Sequence, residues 1–336
     1  MEKRMSIFFL QLGTNMWADM GSQVLHNPFS TELVTQDSAF REVVDALPGF
    51  GFDTVLIDIG DAVCYESHPE LAIKGSWSKD KMKQELDHMR AIGLTPLPKL
   101  NFSATHGAWL RQYNEMLATP TYWKVADDLI REIYEMFESP AYIHIGMDEE
   151  NEIYVKNNLR PGRLYWEDMR RIVDSVKATG AKPWIWADPL FEHPLMYATN
   201  FAPDELVISP WYYHAFKPEH FTPTDSAPEY INYYGRAQFA KLNLKFVEDD
   251  PFHSVFRSVA LPLMQKGYCY VPCASVFNRC AYNTPELVEY FMEGAPQDQL
   301  LGFMTAPWFM TQEENWEKIE NSLILMSEAA KKHGII

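Results

Sequence analysis

The stretch "AYIHIGMDEEN", residues 141 to 151, decides how this chain reads. An apolar run of strand character, Tyr142 to Met147, delivers Asp148, Glu149 and Glu150 consecutively at its end. A single acid after a strand serves as the N-cap of the following helix. Packing gives no reason for three of them where a buried strand meets solvent.

Outward from this stretch, short β-rich runs alternate with amphipathic helical segments. The strand candidates are residues 7–13, 54–60, 94–100, 142–147, 182–187, 205–211, 268–274 and 300–306, eight in all. Between them, Trp166, Met169, Ile172, Val173 and Val176 mark one helix face, and Trp316, Ile319, Leu323 and Met326 mark another. Thr284-Pro285 predicts an N-cap with proline at the first helical position, and Thr311 with Glu314 fits a capping box. Gly51, Gly93, Gly180 and Gly267 each stand between a helical pattern and a strand, where a left-handed C-cap turns the chain back. Their spacings of 42, 87 and 87 residues are one, two and two periods of about 43, and eight such periods nearly fill the 336 residues. Alternating strands and helices imply parallel strands with right-handed crossovers. Eight equal units favour a closed (β/α)8 TIM barrel, an α/β fold, as a single catalytic domain over residues 1–336. No Gly-x-Gly-x-x-Gly or P-loop pattern supports a nucleotide-binding sheet. Residues 212–251 break the period with a Pro- and Tyr-rich excursion, expected to lie over the barrel mouth.

Composition narrows the function classes. With 47% hydrophobic and 22% charged residues the chain has a sizeable core, so disorder is excluded. A formal net charge of −17 repels phosphate backbones and anionic bilayers, so neither nucleic acid nor a membrane is an expected partner. No apolar run approaches the roughly 18 to 20 residues that span a bilayer, and "MEKRMSIFFLQLG" lacks a full signal-peptide core and a cleavage site. The expected location is cytoplasmic for the chain as it stands, and periplasmic or secreted if a leader was trimmed. Cys64, Cys269, Cys273 and Cys280 form no Cys-x-x-Cys pair and read as reduced, mostly buried thiols. No cofactor or metal is expected, and a homo-oligomer is compatible with the chain.

In such a barrel the C-terminal strand ends meet at one face, where active sites are built. Asp58 and Asp61 close strand 2, Lys99 and Asn101 strand 3, Asp148 and Glu149 strand 4, and Trp186 with Asp188 strand 5. Trp211 and Trp308 close strands 6 and 8. Three indoles and several polar groups at one mouth suit a sugar, whose apolar faces stack while its hydroxyls need hydrogen bonds. His144, two positions inside strand 4, reads equally as a core histidine, and His106 and Lys99 read equally as loop surface.

His144-Ile145-Gly146-Met147-Asp148-Glu149 resembles the His-x-Gly-Gly-Asp-Glu signature of the family 20 glycoside hydrolases, the β-N-acetylhexosaminidases. Residues 68–101 resemble that family's passage from strand 2 to strand 3, and Trp186, Trp211 and Trp308 fall where it places the tryptophans around its acetamido pocket. The resemblance covers roughly residues 7–330, with the strand 4 motif its one specific part. Met147 departs from the second Gly of the signature, and Lys99 and Asn101 stand in place of Glu and Asp. No arginine follows strand 1, and strand 7 ends without the family's tyrosine and aspartate.

The resemblance implies a retaining, exo-acting hydrolase of a β-linked hexosaminide or related sugar. Glu149 protonates the leaving oxygen, and Asp148 orients a 2-acetamido group that attacks the anomeric carbon. Asp58, Lys99, Asn101, His106, His144, Trp186, Asp188, Trp211 and Trp308 are its candidate substrate-binding residues. A second route takes its other carboxylate from Glu248, Asp249 or Asp250 in the excursion. Two alternatives stay open. One is a metal-dependent barrel hydrolase or isomerase using Asp58, Asp148, Glu149 and Asp188 as oxygen ligands. The other is a non-catalytic sugar-binding barrel in which Lys99 holds the acids ionised.

Overall fold

Among the described residues, nine strand segments occupy the eight expected places. They are β1 (Met5–Gln11), β2 (Thr54–Asp58), β3 (Thr95–Lys99), β4 (Tyr142–His144), β5 (Lys182–Trp186), β6 (Val207–Ser209), β7 (Cys269–Tyr270), β8 (Cys273–Ala274) and β9 (Gly302–Thr305). A computed structural model describes residues 3–20, 29–150, 162–220, 260–261, 263–277 and 279–336. The pairings are parallel, in the order β7-β6-β5-β4-β3-β2-β1-β9-β8.

The two ends of that order are neighbours on one strand. Val271 and Cys273 donate to Ile208 and Pro210 on the β6 side, while Tyr270, Pro272 and Ala274 accept from Leu301, Met304 and Ala306 on the β9 side. One interrupted seventh strand therefore joins both edges and closes the barrel. The interruption includes Pro272, which has no N–H for the ladder. β2 and β6 are buried at every residue, as strands covered on both faces must be.

Helices return the chain between strands: α1 (Asp37–Ala46), α2 (Lys79–Ala91), α3 (Pro120–Met136), α4 (Gly162–Thr179), the short α5 (Asp188–Glu192) and α6 (Pro194–Asn200), α7 (Asn283–Gly294) and α8 (Trp316–Lys332). The expected faces of α4 and α8 are buried, apart from a partly buried Trp316. Gly51, Gly93, Gly180 and Gly267 adopt left-handed φ of 86, 89, 100 and 92° before their strands. Two expected caps do not form. α7 begins at Asn283, ahead of the Thr284-Pro285 pair, and the Thr311 hydroxyl donates to the Gln11 carbonyl at 2.5 Å instead of capping α8. The four cysteines are free, with Cys273 and Cys280 buried and Cys64 and Cys269 partly so. Among the described residues no helix is long and apolar enough to cross a membrane.

Ring contacts fix which faces point inward. Phe9 of β1 lies 6.1 Å from Trp186 of β5, and strands so far apart around a barrel touch only through its interior. Gln11 shares the face of Phe9 by the two-residue period. Through the register, Asp58, Lys99, His144 and Trp184 lie on that inner tier. Asn101, Gly146 and Trp186 stand two residues further on, toward the mouth.

Candidate active site

β4 ends at His144, and the chain leaves it through left-handed backbone, with φ of 76° at Gly146, 70° at Met147 and 55° at Glu149. A Cβ on Gly146 would fall 2.0 Å from the Asn101 amide oxygen, so glycine is what lets the ends of β3 and β4 approach. Met147 is wholly buried in a conformation that costs a residue with a side chain about 1–3 kcal/mol. Strain is thus concentrated where the two acids are presented.

Asp148 is 5% exposed and held on three sides. Asn101 Nδ2 donates to its Oδ1 at 2.8 Å, and Ser103 Oγ donates to its main-chain oxygen at 2.5 Å. Its Oδ2 lies 3.3 Å from His106 Nε2, which is also 3.3 Å from Glu149 Oε2. Neither oxygen is aligned for a hydrogen bond with Nε2, so these are ion-pair contacts. The other nitrogen, Nδ1, faces the Met16 carbonyl at 3.0 Å. Burial alone would push the His106 imidazole toward its neutral form, but the charges of Asp148 and then Glu149 outweigh it and raise its pKa. Burial likewise disfavours the Asp148 carboxylate, but His106, Lys99 and Asn101 reverse that and hold it ionised.

Deeper in the barrel, Lys99 Nζ donates to Asp58 Oδ1 at 2.7 Å, both side chains fully buried, with Trp17 Nε1 donating to Asp58 Oδ2 at 3.2 Å. Burial raises the Asp58 pKa to about 6 despite Lys99. Lys99 thus pairs with Asp58, and it reaches the catalytic candidates through its charge alone. His144 is a core histidine: burial, then the Lys99 charge, keep it neutral, and its Nδ1 accepts from Gly146 N at 3.1 Å. That leaves an Nε2–H buried and without a partner among the described residues, beside a Trp186 Nε1 in the same state, with the rings 4.8 Å apart. Trp308 packs 4.7 Å from both Phe9 and Trp17.

At the rim, Asp188 Oδ2 accepts from Trp211 Nε1 at 2.8 Å and Oδ1 accepts from Glu149 N at 3.3 Å. Burial, then the charges of Asp148 and Glu192, raise the Asp188 pKa, so it keeps its proton well above the usual range. Glu192, four residues on at the end of α5, is raised to about 7 by burial and by Glu149 and Glu150. One acid is thus held ionised beside two whose pKa is raised.

Neither a protein-family model nor a curated protein matches the sequence. Solved structures do. An exo-β-N-acetylglucosaminidase of family 20 from Vibrio harveyi superposes with a TM-score of 0.61 at 13% identity, over 98% of this chain and 54% of that one. The fold is that of the family 20 glycoside hydrolases. A β-N-acetylhexosaminidase from Bacteroides fragilis gives 0.59 at 12% identity over 98% and 65% of the two chains. A family 20 β-N-acetylhexosaminidase from Streptomyces coelicolor gives 0.60 at 10% over 97% and 64%. The chain spans about half to two thirds of the length of these enzymes.

The sequence-predicted residues thus fall into groups: Asn101, His106, Asp148 and Glu149 in one contact web, Asp188 with Trp211 at the rim, Asp58, Lys99 and His144 on the tier below, and Trp186 and Trp308 as packed indoles beside them. Trp17 was missed by sequence reading, although it follows β1 at the same face; its ring lies 4.7 Å from His106. Glu192 was missed as well, although it stands one helical turn beyond Asp188. Of the excursion, residues 212–220 are described; their start is tied to α7, where Asn283 Nδ2 donates to the carbonyls of Tyr212 and His214 at 2.6 and 2.8 Å. Glu248, Asp249 and Asp250, and with them the expected cover over the mouth, lie outside the described residues.

Proposed function

We propose that this chain is a retaining, exo-acting glycoside hydrolase of a β-linked hexosaminide or related sugar, with Glu149 as general acid and Asp148 as the orienting carboxylate. The observation that carries the reading is the web at the end of β4: Asp148 clamped by Asn101 and facing His106, with the Glu149 side chain beside it and 21% exposed to the mouth. Likeness of fold to hexosaminidases supports the substrate class. The ring N–H donors of His144 and Trp186, without a partner among the described residues, are suited to sugar oxygens.

In this reading Glu149 gives its proton to the glycosidic oxygen as the bond to the anomeric carbon breaks. The 2-acetamido oxygen closes on that carbon, and the ionised Asp148 stabilises the positive charge that develops on the amide. Glu149, now a carboxylate, takes a proton from the water that opens the ring intermediate. In this reading the catalytic unit is one barrel over residues 1–336.

The test is a panel of nitrophenyl glycosides, N-acetylated and not, run on the parent and two variants. Glu149→Gln should lower turnover by about 10²–10⁴ on a poor leaving group and far less on an activated aryl glycoside. Asp148→Asn should impair both alike. Full activity in either variant, or equal losses on both substrates for Glu149→Gln, would remove these assignments.

A further inference from the structure

His106 presents one nitrogen to a main-chain carbonyl and the other to two carboxylates. The Met16 carbonyl, 3.0 Å from Nδ1, only accepts, so Nδ1 carries the ring proton and the lone pair of the neutral imidazole lies on Nε2. That Nε2 is fully buried, 3.3 Å from Asp148 Oδ2 and 3.3 Å from Glu149 Oε2, and is hydrogen-bonded to neither. All three ligand atoms lie within 4.8 Å of one another. Two ligands bound about 2.0–2.2 Å from one zinc ion at tetrahedral angles stand about 3.4 Å apart, which matches both contacts of Nε2.

The outer contacts have the form that metal sites use to aim their ligands. A carbonyl fixes the histidine tautomer, Asn101 holds Asp148 through the oxygen that faces away from His106, and the Trp17 ring packs against the imidazole at 4.7 Å. Asp58 and Asp188 are not ligands here, because Lys99 with Trp17 engages the first and Trp211 with the Glu149 amide the second.

We propose that His106, Asp148 and Glu149 form a three-ligand site for a divalent transition metal such as zinc, with its remaining position toward the mouth. One imidazole and two carboxylates select zinc, cobalt or manganese over magnesium or calcium, which take oxygen alone. Resting on the hydrolase reading above, a bound ion occupies the Glu149 oxygen that delivers the proton, so the loaded protein is a silenced hydrolase that a chelator restores. With no ion present, the positive charge of a protonated imidazole pairs with the same two carboxylates.

The test uses the whole chain stripped with a chelator and titrated with zinc by calorimetry in the absence of substrate. Cobalt absorption reads the coordination geometry. One ion per chain is expected, with affinity falling at least about 10-fold in each of His106→Gln, Asp148→Asn and Glu149→Gln. His68→Gln should leave binding unchanged, although His68 also lies between two carboxylates, Glu70 and Asp128. Glu149 is partly exposed, so its variant guards against loss through misfolding, and thermal melts of all four check it. No binding at millimolar zinc, or binding undiminished in the three ligand variants, would overturn the site. Zinc that binds as described but raises hydrolysis would overturn the silencing. Inactivity of the metal-free chain toward every glycoside would sink the hydrolase reading while leaving the metal site standing.

Discussion

Asn101 Nδ2 donates to Asp148 Oδ1 at 2.8 Å, while the oxygen of the same amide accepts from Ser103 N at 3.0 Å and abuts Gly146. One side chain thereby ties the end of β3 to the acid after β4. A hydrogen bond to a buried charge contributes about 1.5–3 kcal/mol. A double-mutant cycle of Asn101→Ala and Asp148→Ala, read from urea unfolding, should return a coupling of that size. Additive losses would mean that the pair is held by its surroundings and not by the bond.

Lys99 and Asp58 are both fully buried, 2.7 Å apart. Removing one partner strands a charge, at a cost of about 3–5 kcal/mol, whereas replacing both removes the desolvation as well. Lys99→Met should therefore be strongly destabilising at neutral pH, and Asp58→Asn combined with Lys99→Met much less so than the single losses together. Urea midpoints of the three variants decide this, and strict additivity would contradict it.

The barrel was legible because its signals are local and repeated: apolar runs, left-handed glycines and a period of about 43 residues placed every strand within a few positions. The caps at Thr284 and Thr311 were misread, since the Thr311 hydroxyl finds a tertiary acceptor, the Gln11 carbonyl, that local sequence does not encode. Asp148 and Glu149 stood out by adjacency. The burial of His106 against them, and the pairing of Lys99 with Asp58, depend on strand register and on Trp17 packing against His106 and Asp58, and spacing in the chain carries neither.

Glu205, just before β6, accepts from Arg170, from Lys177 at 2.7 Å and from Ala202 N at 3.2 Å. Burial raises its pKa, but the Arg170 and then the Lys177 hydrogen bonds outweigh that and hold it at about 2, below the ordinary 4.5. A depressed carboxylate stabilises the fold above its unfolded pKa and loses that contribution as pH falls between the two values. The stability gap between the parent and Glu205→Gln should be constant above about pH 5 and narrow steadily below about pH 4.5. A gap that stays constant on acidification would show that the bonds contribute equally to both protonation states.

Met147 stands at φ 70° with its side chain wholly buried, where the family signature has glycine. Truncating it to Ala or Gly removes the same packed thioether, a loss of about 2–5 kcal/mol in either case. The two variants then differ in backbone. Glycine ordinarily lags alanine by about 0.4–1 kcal/mol through the entropy of the unfolded chain. At a left-handed position alanine instead carries a steric cost of about 1–2 kcal/mol that glycine does not. Met147→Gly should therefore match or exceed Met147→Ala in stability by up to about 1.6 kcal/mol, the reverse of the usual order. If thermal melts place Met147→Ala clearly above Met147→Gly, the turn that presents Asp148 and Glu149 is not strained at this residue.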